Sequence, residues 1–189
     1  MSNRASTNRI KKVLWDVFIL KGNFDEDSCR IPNAVKTAQV IVILAAIAHA
    51  SGSVIIPLLA QVTLSLLIFI FVINALSVIA GYYFWTFTIW KIGQQLRLSI
   101  PTYRELLIPI GFAHTPQIFN FFTVIPLLGR PIEIGLSIWS LLAVIVALKG
   151  WLNIKLVRAI LISLSGWLIV QIAIGVIQIT LQRLIIETS

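Results

Sequence analysis

Charged side chains are scarce in this sequence. Only 12% of its 189 residues are Asp, Glu, Lys or Arg, whereas 58% are hydrophobic and the mean hydropathy is +0.96. A soluble domain carries about 25% charged residues, which keep its surface hydrated. A chain with so few charges cannot cover its surface with hydrated groups, so most of that surface is expected to contact lipid. The deficit therefore predicts an integral membrane protein and excludes an ordinary soluble domain.

Groups suited to catalysis are also few. The single cysteine, Cys29, excludes an internal disulfide, and none of the seven acidic residues lies in the middle of an apolar segment. The two histidines, His49 and His114, lie in different segments and have no Cys or carboxylate at metal-ligand spacing. No nucleotide-binding, metallopeptidase or serine-hydrolase motif occurs. These absences predict a protein that is not an enzyme and holds neither a metal nor a cofactor.

Long apolar runs dominate the rest of the chain. They predict an all-α fold, an integral membrane helical bundle with five transmembrane helices and an N-terminal amphipathic interfacial helix. The predicted spans lie at residues 35–49, 106–125, 134–148 and 159–179, and within the apolar run 55–92, where a short interfacial piece leads into one long span. Residues 1–34 are expected to form a cytoplasmic tail, 35–180 the membrane domain and 181–189 a short C-terminal tail. The run 55–92 also permits a hairpin that turns near Asn74, which would make six spans.

The distribution of basic residues decides between five spans and six. The net charge is +8, but Lys and Arg are spread between the apolar runs, which argues against nucleic-acid binding. Five spans leave only Arg130 and Arg183 opposite the N-terminus, so 13 of the 15 basic residues share its side. Because cytoplasmic loops are rich in Lys and Arg, this predicts five spans, a cytoplasmic N-terminus and an outside C-terminus. Tyr82, Trp85 and Trp90 are then expected in the inner aromatic belt.

The N-terminal tail contains an amphipathic segment. Ile10, Val13, Leu14, Val17 and Phe18 recur at helical spacing and lie on one face of a helix that covers residues 9–20. At about 12 residues it is too short to span a bilayer but suits the headgroup layer, where anionic lipid attracts lysine. The residues predicted to face this interface are Lys11, Lys12, Trp15 and Lys21. The alternative is a helix docked on the protein's own spans.

The third span carries the most informative polar residues. Pro116 removes a backbone donor and crowds the carbonyl of Phe112, so it predicts a kink, and Thr115 or a facing helix is expected to satisfy that carbonyl. The polar side chains either hydrogen-bond to neighbouring spans or line a polar cavity or partner groove. The candidate residues are Gly111, His114, Pro116, Gln117 and Asn120, with Gln171 and Gln178 on one face of the last span. That glutamine face is expected to pack against another helix.

Three segments of the chain resemble the Yip1 family of multi-pass membrane proteins. They are YRELLIPIGFAHTP at 103–116, similar to the family's Gly-aromatic-x-x-x-Pro segment, GLSIWSLLAVIVALKG at 135–150, and NIKLVRAILI at 153–162. The resemblance covers residues 35–180 and implies five spans, a cytoplasmic N-terminus and no catalytic residue. Eukaryotic members act in vesicle traffic with small GTPases. The short N-terminal region here lacks the family's Asp-Leu-Tyr-Gly-Pro element, which argues against GTPase binding and favours a prokaryotic member in the bacterial inner membrane.

Two functions are compatible with these features. The leading hypothesis is a scaffold or interaction protein in membrane organisation or trafficking, which acts through span packing and its basic N-terminal helix. Its expected partners are the lipid bilayer and other membrane proteins or further copies of itself. The alternative is a small transporter or channel with a polar path near His114, Gln117 and Asn120. Lipid handling at the kink of the third span is a weaker third hypothesis.

Overall fold

The computed structural model describes residues 2–21, 33–96, 102–125 and 128–187; at 2–7, 9, 174–175 and 177–187 it describes the backbone alone. Every regular element in these ranges is helical. The α-helices are α1 (Ser2–Phe18), α2 (Ala34–Ser53), α3 (Ile55–Leu59), α4 (Leu64–Gln95), α5 (Tyr103–Phe112), α6 (Gly129–Leu152) and α7 (Leu156–Glu187). A 3₁₀ helix, Thr115–Val124, lies between α5 and α6.

Four helical segments of the described residues are long and apolar enough to cross a membrane. They are Ala34–Leu59, Leu64–Gln95, Gly129–Leu152 and Leu156–Ala173. At 1.5 Å per residue, even the shortest is about 27 Å long, close to the hydrocarbon thickness of about 30 Å. Their outward faces carry many large exposed apolar side chains, more than the surface of a soluble monomer usually exposes to water. The predicted all-α architecture is confirmed, and four helical segments of the described residues have the length and composition of membrane spans.

Helix α4 excludes the six-span hairpin. It runs without interruption for 32 residues, and the Asn74 amide donates to the carbonyl oxygen of Ile70 at 2.8 Å within the same helix. A hairpin would need a turn at this position. Near the other end, the Lys91 ammonium lies 5.1 Å from the ring centroid of Trp90. The residues 55–92 therefore form the short helix α3 followed by one long helix, as the five-span interpretation requires.

The third apolar segment is broken. Helix α5 ends at Phe112, and after two residues the chain continues as ten residues of 3₁₀ helix rather than as the predicted kinked α-helix. The disturbance lies where Pro116 removes a backbone donor. The Thr115 hydroxyl donates to the carbonyl oxygen of Phe112 at 2.6 Å, which confirms the expected local compensation. The prediction of one continuous helix over 106–125 is wrong, because the proline does more than bend it.

Close contacts between small residues fix how this broken segment lies beside α2. A Cβ atom added at Gly111 would stand 2.7 Å from the Cβ of Ala38, and one at Gly52 would overlap the Thr123 hydroxyl. The earlier residue of α2, Ala38, contacts the earlier residue of the segment, Gly111, and the later residues Gly52 and Thr123 contact each other. Helix α2 and the segment 103–124 therefore run parallel. The Ser140 hydroxyl of α6 donates to the Ala113 carbonyl at 2.9 Å and attaches the next helix to the break.

Helix α4 packs against both α2 and α7 in the antiparallel sense. The Gln39 amide donates to the Tyr83 hydroxyl at 3.0 Å on the α2 side. On the α7 side, a Cβ added at Gly166 would stand 2.8 Å from the Trp85 indole. The aromatic-belt assignment is wrong for Tyr82 and Trp85, which are 1% and 4% exposed and point into the bundle.

Helix α1 begins at Ser2, seven residues before the predicted start, and docks on the bundle. Val13 and Val17 are buried, and the Phe18 ring stacks on Trp139 with centroids 5.1 Å apart. The Trp139 indole also donates to the Phe18 carbonyl at 2.9 Å. This arrangement matches the docked alternative of the sequence analysis. The four residues predicted for the lipid interface are all exposed, Lys11, Lys12 and Trp15 on α1 and Lys21 after its end; their interfacial role stays a prediction.

Candidate functional site

A polar cavity of about 220 Å³ lies within the bundle, between α2, α4, the 3₁₀ helix, α6 and α7. Its polar lining consists of His49, Ser77, His114, Gln117, Asn120, Arg130, Glu133, Ser137 and Gln171, and Tyr82, Trp85 and Trp167 supply aromatic walls. Such a concentration of polar groups is unusual inside a bundle whose outer surface is apolar. Concave sites with a few convergent polar groups are where small ligands bind.

The 3₁₀ winding brings the predicted polar residues onto one face. In an α-helix three residues turn about 300°, so His114, Gln117 and Asn120 would each be offset by about 60° from the one before, although neighbours in the series would still share a face. A 3₁₀ helix has three residues per turn, and positions three apart eclipse one another. His114 stands at the N-terminal cap of the 3₁₀ helix, and the other two follow at one-turn intervals. All three line the cavity, and the 3₁₀ winding aligns them along it.

His114 is held in one orientation by its neighbours. Its Nδ1 atom lies 2.8 Å from the carbonyl oxygen of Ile110, and because a carbonyl only accepts, Nδ1 carries a proton. The neutral ring therefore presents Nε2 as an acceptor. The rings of Tyr82 and Trp85 pack against the imidazole in T-shaped contacts, with centroids 5.6 and 5.9 Å away. This clamp leaves the histidine little freedom to turn.

The aromatic walls have turned their own donors away from the cavity. The Tyr82 hydroxyl donates to the Leu107 carbonyl at 2.6 Å, and the Trp85 indole donates to the Ser163 carbonyl at 3.3 Å. Both partners are backbone groups of packed helices. The two rings are therefore fixed in place, and they contribute ring surface rather than hydrogen-bond donors to the cavity.

Asn120 lies at the far end of this polar face and is 4% exposed. Its side-chain oxygen is buried and has no hydrogen-bond partner among the described residues. A buried acceptor without a donor typically costs about 1–3 kcal/mol. Native structures seldom retain such a group without a reason. The asparagine oxygen is therefore the cavity atom that most needs a ligand or solvent donor.

An ion pair in the first turn of α6 marks the mouth of the cavity. Arg130 and Glu133 approach to 3.1 Å, and the arginine side chain is 79% exposed, so the cavity reaches the protein surface at this end. The count of basic residues predicts that Arg130 lies on the side of the membrane opposite the N-terminus. An exposed pair at this spacing contributes about 0–1 kcal/mol to stability. The two charges are therefore more important for the electrostatic attraction or repulsion of ligands at the mouth of the cavity than for stability.

The structure gathers some of the predicted site residues and separates others. Gln171 lines the cavity, as do the three polar residues of the 3₁₀ helix, whereas Gly111 is a packing contact on α2 and Pro116 begins the winding. Gln178 lies outside the residues whose side chains the structure describes. Sequence reasoning missed the contribution of His49, which it considered only as a metal ligand. No local signal in the sequence links His49 on α2 to the other cavity residues, which lie on later helices.

Comparison with known proteins adds no assignment. No protein-family model matches the sequence, and neither a curated protein nor a solved structure is detectably similar to the chain.

Proposed function

We propose that this protein is a non-enzymatic membrane protein that binds a small polar group inside its helical bundle, either on a solute or on a lipid headgroup. The observation that carries the proposal is the cavity, in which His114, Gln117 and Asn120 share one face. Polar and ionisable residues at membrane depth are costly and mark ligand or ion pathways. This is the activity expected of a small transporter or channel, or of a protein that handles lipid.

A thermal-stability assay on three small probes tests this function. We expect at least one of ethanolamine, glycerol and acetate, or one lipid species, to raise the unfolding midpoint of the protein in nanodiscs, because a ligand that binds only the folded state stabilises it. His114→Ala should abolish the shift, whereas Gly135→Ala, on an open face of α6, should keep it. If no probe shifts the midpoint and no lipid co-purifies stoichiometrically, the proposed function is wrong.

The proposed topology has five crossings in a bacterial inner membrane, with the N-terminus in the cytoplasm and the C-terminus outside. The segment 103–124 contributes the fifth crossing. Ten α-helical and ten 3₁₀ residues extend about 35 Å together, which matches a hydrocarbon core of about 30 Å. This segment runs parallel to α2, and its two helical windings satisfy most of its backbone groups internally, as a membrane crossing requires. Reporter fusions on either side of α6 test the assignment.

The same proposal makes the chain a short-tailed prokaryotic member of the Yip1 family. It is supported by the order and spacing of the three resembling segments. The helix break also falls within the Gly-aromatic-x-x-x-Pro segment, between Gly111 and Pro116. A solved structure of an accepted family member tests the assignment. A continuous α-helix in place of this break would contradict it.

A scaffold or interaction role is the second candidate, and the first half of α4 favours it. Every buried residue of α4 lies in its second half, from Tyr82 onward, so residues 64–81 present an open apolar face. We expect a photo-crosslinker at Leu76 to give a discrete adduct with another membrane protein or a second copy. Val157, which is equally apolar and exposed on α7, is the matched control. The absence of an adduct at Leu76, or identical products at both positions, would rule the scaffold role out.

A further inference from the structure

We propose that the cavity accepts a protonated primary amine, carried either by a small solute or by the headgroup of an aminophospholipid. The inference rests on the proposed function and names its ligand class. It depends on the sign and number of the hydrogen-bonding groups that the cavity presents. These groups include a buried acceptor oxygen without a donor, on Asn120, and a carboxylate at the mouth, on Glu133.

The acceptors lie along the 3₁₀ face. The buried oxygen of Asn120 has no donor among the described residues. His114 uses Nδ1 for the Ile110 carbonyl, which leaves Nε2 as an acceptor in the neutral ring. Gln117 supplies a third acceptor oxygen one turn from each of them. A primary ammonium has three N–H donors and no acceptor, so its donors match in number the acceptors on this face.

The remaining lining groups favour the same ligand. The donors of Tyr82 and Trp85 are engaged with backbone carbonyls, so these residues offer ring surface, which attracts cations. Glu133 supplies negative charge at the mouth. Its partner Arg130 is largely exposed and able to turn toward water as a cation enters. A carboxylate ligand has no N–H to donate to the Asn120 oxygen, and the charge of Glu133 would repel it.

Ethanolamine and choline separate this chemistry from simple cation binding. The protein is reconstituted in nanodiscs of phosphatidylcholine and phosphatidylglycerol and titrated with ethanolamine hydrochloride, choline chloride or sodium acetate. We expect ethanolamine to bind and to raise the unfolding midpoint, whereas choline, which has no N–H donor, and acetate should not. Equal effects of ethanolamine and choline would overturn the hydrogen-bonding argument.

Two asparagine variants link the binding to the cavity. Asn120→Leu should weaken ethanolamine binding at least about tenfold, because a hydrogen bond to a charged group is lost. Asn74→Leu makes the same chemical change in α4, where the amide bonds to its own helix outside the cavity, and should leave binding unchanged. The unfolding midpoint of each variant without ligand shows whether it is folded. If Asn120→Leu is folded and binds like the wild type, the assignment is wrong.

A lipid arm identifies the source of the amine. Phosphatidylethanolamine nanodiscs should raise the midpoint of the wild type but not of Asn120→Leu if the headgroup is the ligand. A response to free ethanolamine alone assigns the site to a solute, and either result supports the amine. If acetate or glycerol binds and ethanolamine does not, the amine inference fails while the proposed function stands. Failure of every probe and lipid overturns both.

Discussion

Replacing Gly111 with alanine should lower the free energy of unfolding by about 1–3 kcal/mol, and replacing it with leucine should prevent the bundle from assembling. The added Cβ would lie 2.7 Å from the Cβ of Ala38 and 3.2 Å from its Cα and carbonyl oxygen. These are atoms of a helix and its shortest side chain, so no flexible group is available to move aside. Helices α2 and α5 would have to separate along their whole contact.

Gly135 provides the matched control for this prediction. A Cβ added there meets no atom within 4 Å, and alanine is favoured over glycine in a helix by about 1 kcal/mol. Gly135→Ala should therefore be neutral or slightly stabilising. The measurement is the unfolding midpoint in mild detergent, together with the yield of monodisperse protein. Equal loss of stability in both variants would show that close packing against Ala38 is not the cause.

Reporter fusions should give an all-or-none answer on the fifth crossing. With five crossings, alkaline phosphatase is active when fused after Leu128 or after the last residue, Ser189, because it folds only outside the cytoplasm. Green fluorescent protein should fluoresce when fused after Leu96 or Asn153. The physical reason is that the segment 103–124 is long enough to span the bilayer even though it is not one helix.

Four crossings would reverse three of these fusions. If the segment 103–124 dipped into the membrane and returned, Leu128 would face the cytoplasm, Asn153 the outside and Ser189 the cytoplasm. The Leu96 fusion is the internal control, because it is cytoplasmic with either count. Phosphatase activity at Asn153 together with fluorescence at Leu128 would therefore contradict the proposed topology.

The membrane class was predictable because it depends on composition summed over many residues. The scarcity of charge and the long apolar runs need no knowledge of contacts, and the helices α2, α4, α6 and α7 appear where the runs lie. The bond from Thr115 to the Phe112 carbonyl was also predictable, since both residues lie within one turn of Pro116. Local chemistry and bulk hydropathy are what a single sequence carries most directly.

The arrangement of the candidate site was not predictable in the same way. An α-helical period beyond Pro116 would offset His114, Gln117 and Asn120 by about 60° at each step, whereas the 3₁₀ period aligns them. Tyr82 and Trp85 are predicted for the aromatic belt because they are aromatic and lie toward one end of a span. Their burial depends on contacts with helices that lie far away in the chain, which the local sequence does not reveal. Packing partners decide which face of a uniformly apolar helix points inward. The amphipathic pattern of such a helix is too weak to predict that face.

The 3₁₀ helix Thr115–Val124 has a mechanical consequence. Rewinding ten residues from 2.0 to 1.5 Å of rise per residue would shorten the segment by about 5 Å. It would also rotate each successive polar group by about 60° relative to the one a turn before, since three residues of α-helix turn about 300° rather than a full circle. The length of this segment and the alignment of its polar side chains therefore change together. Stretching the segment favours the 3₁₀ winding, which aligns the polar side chains, and compressing it favours the α-helical winding, which offsets them.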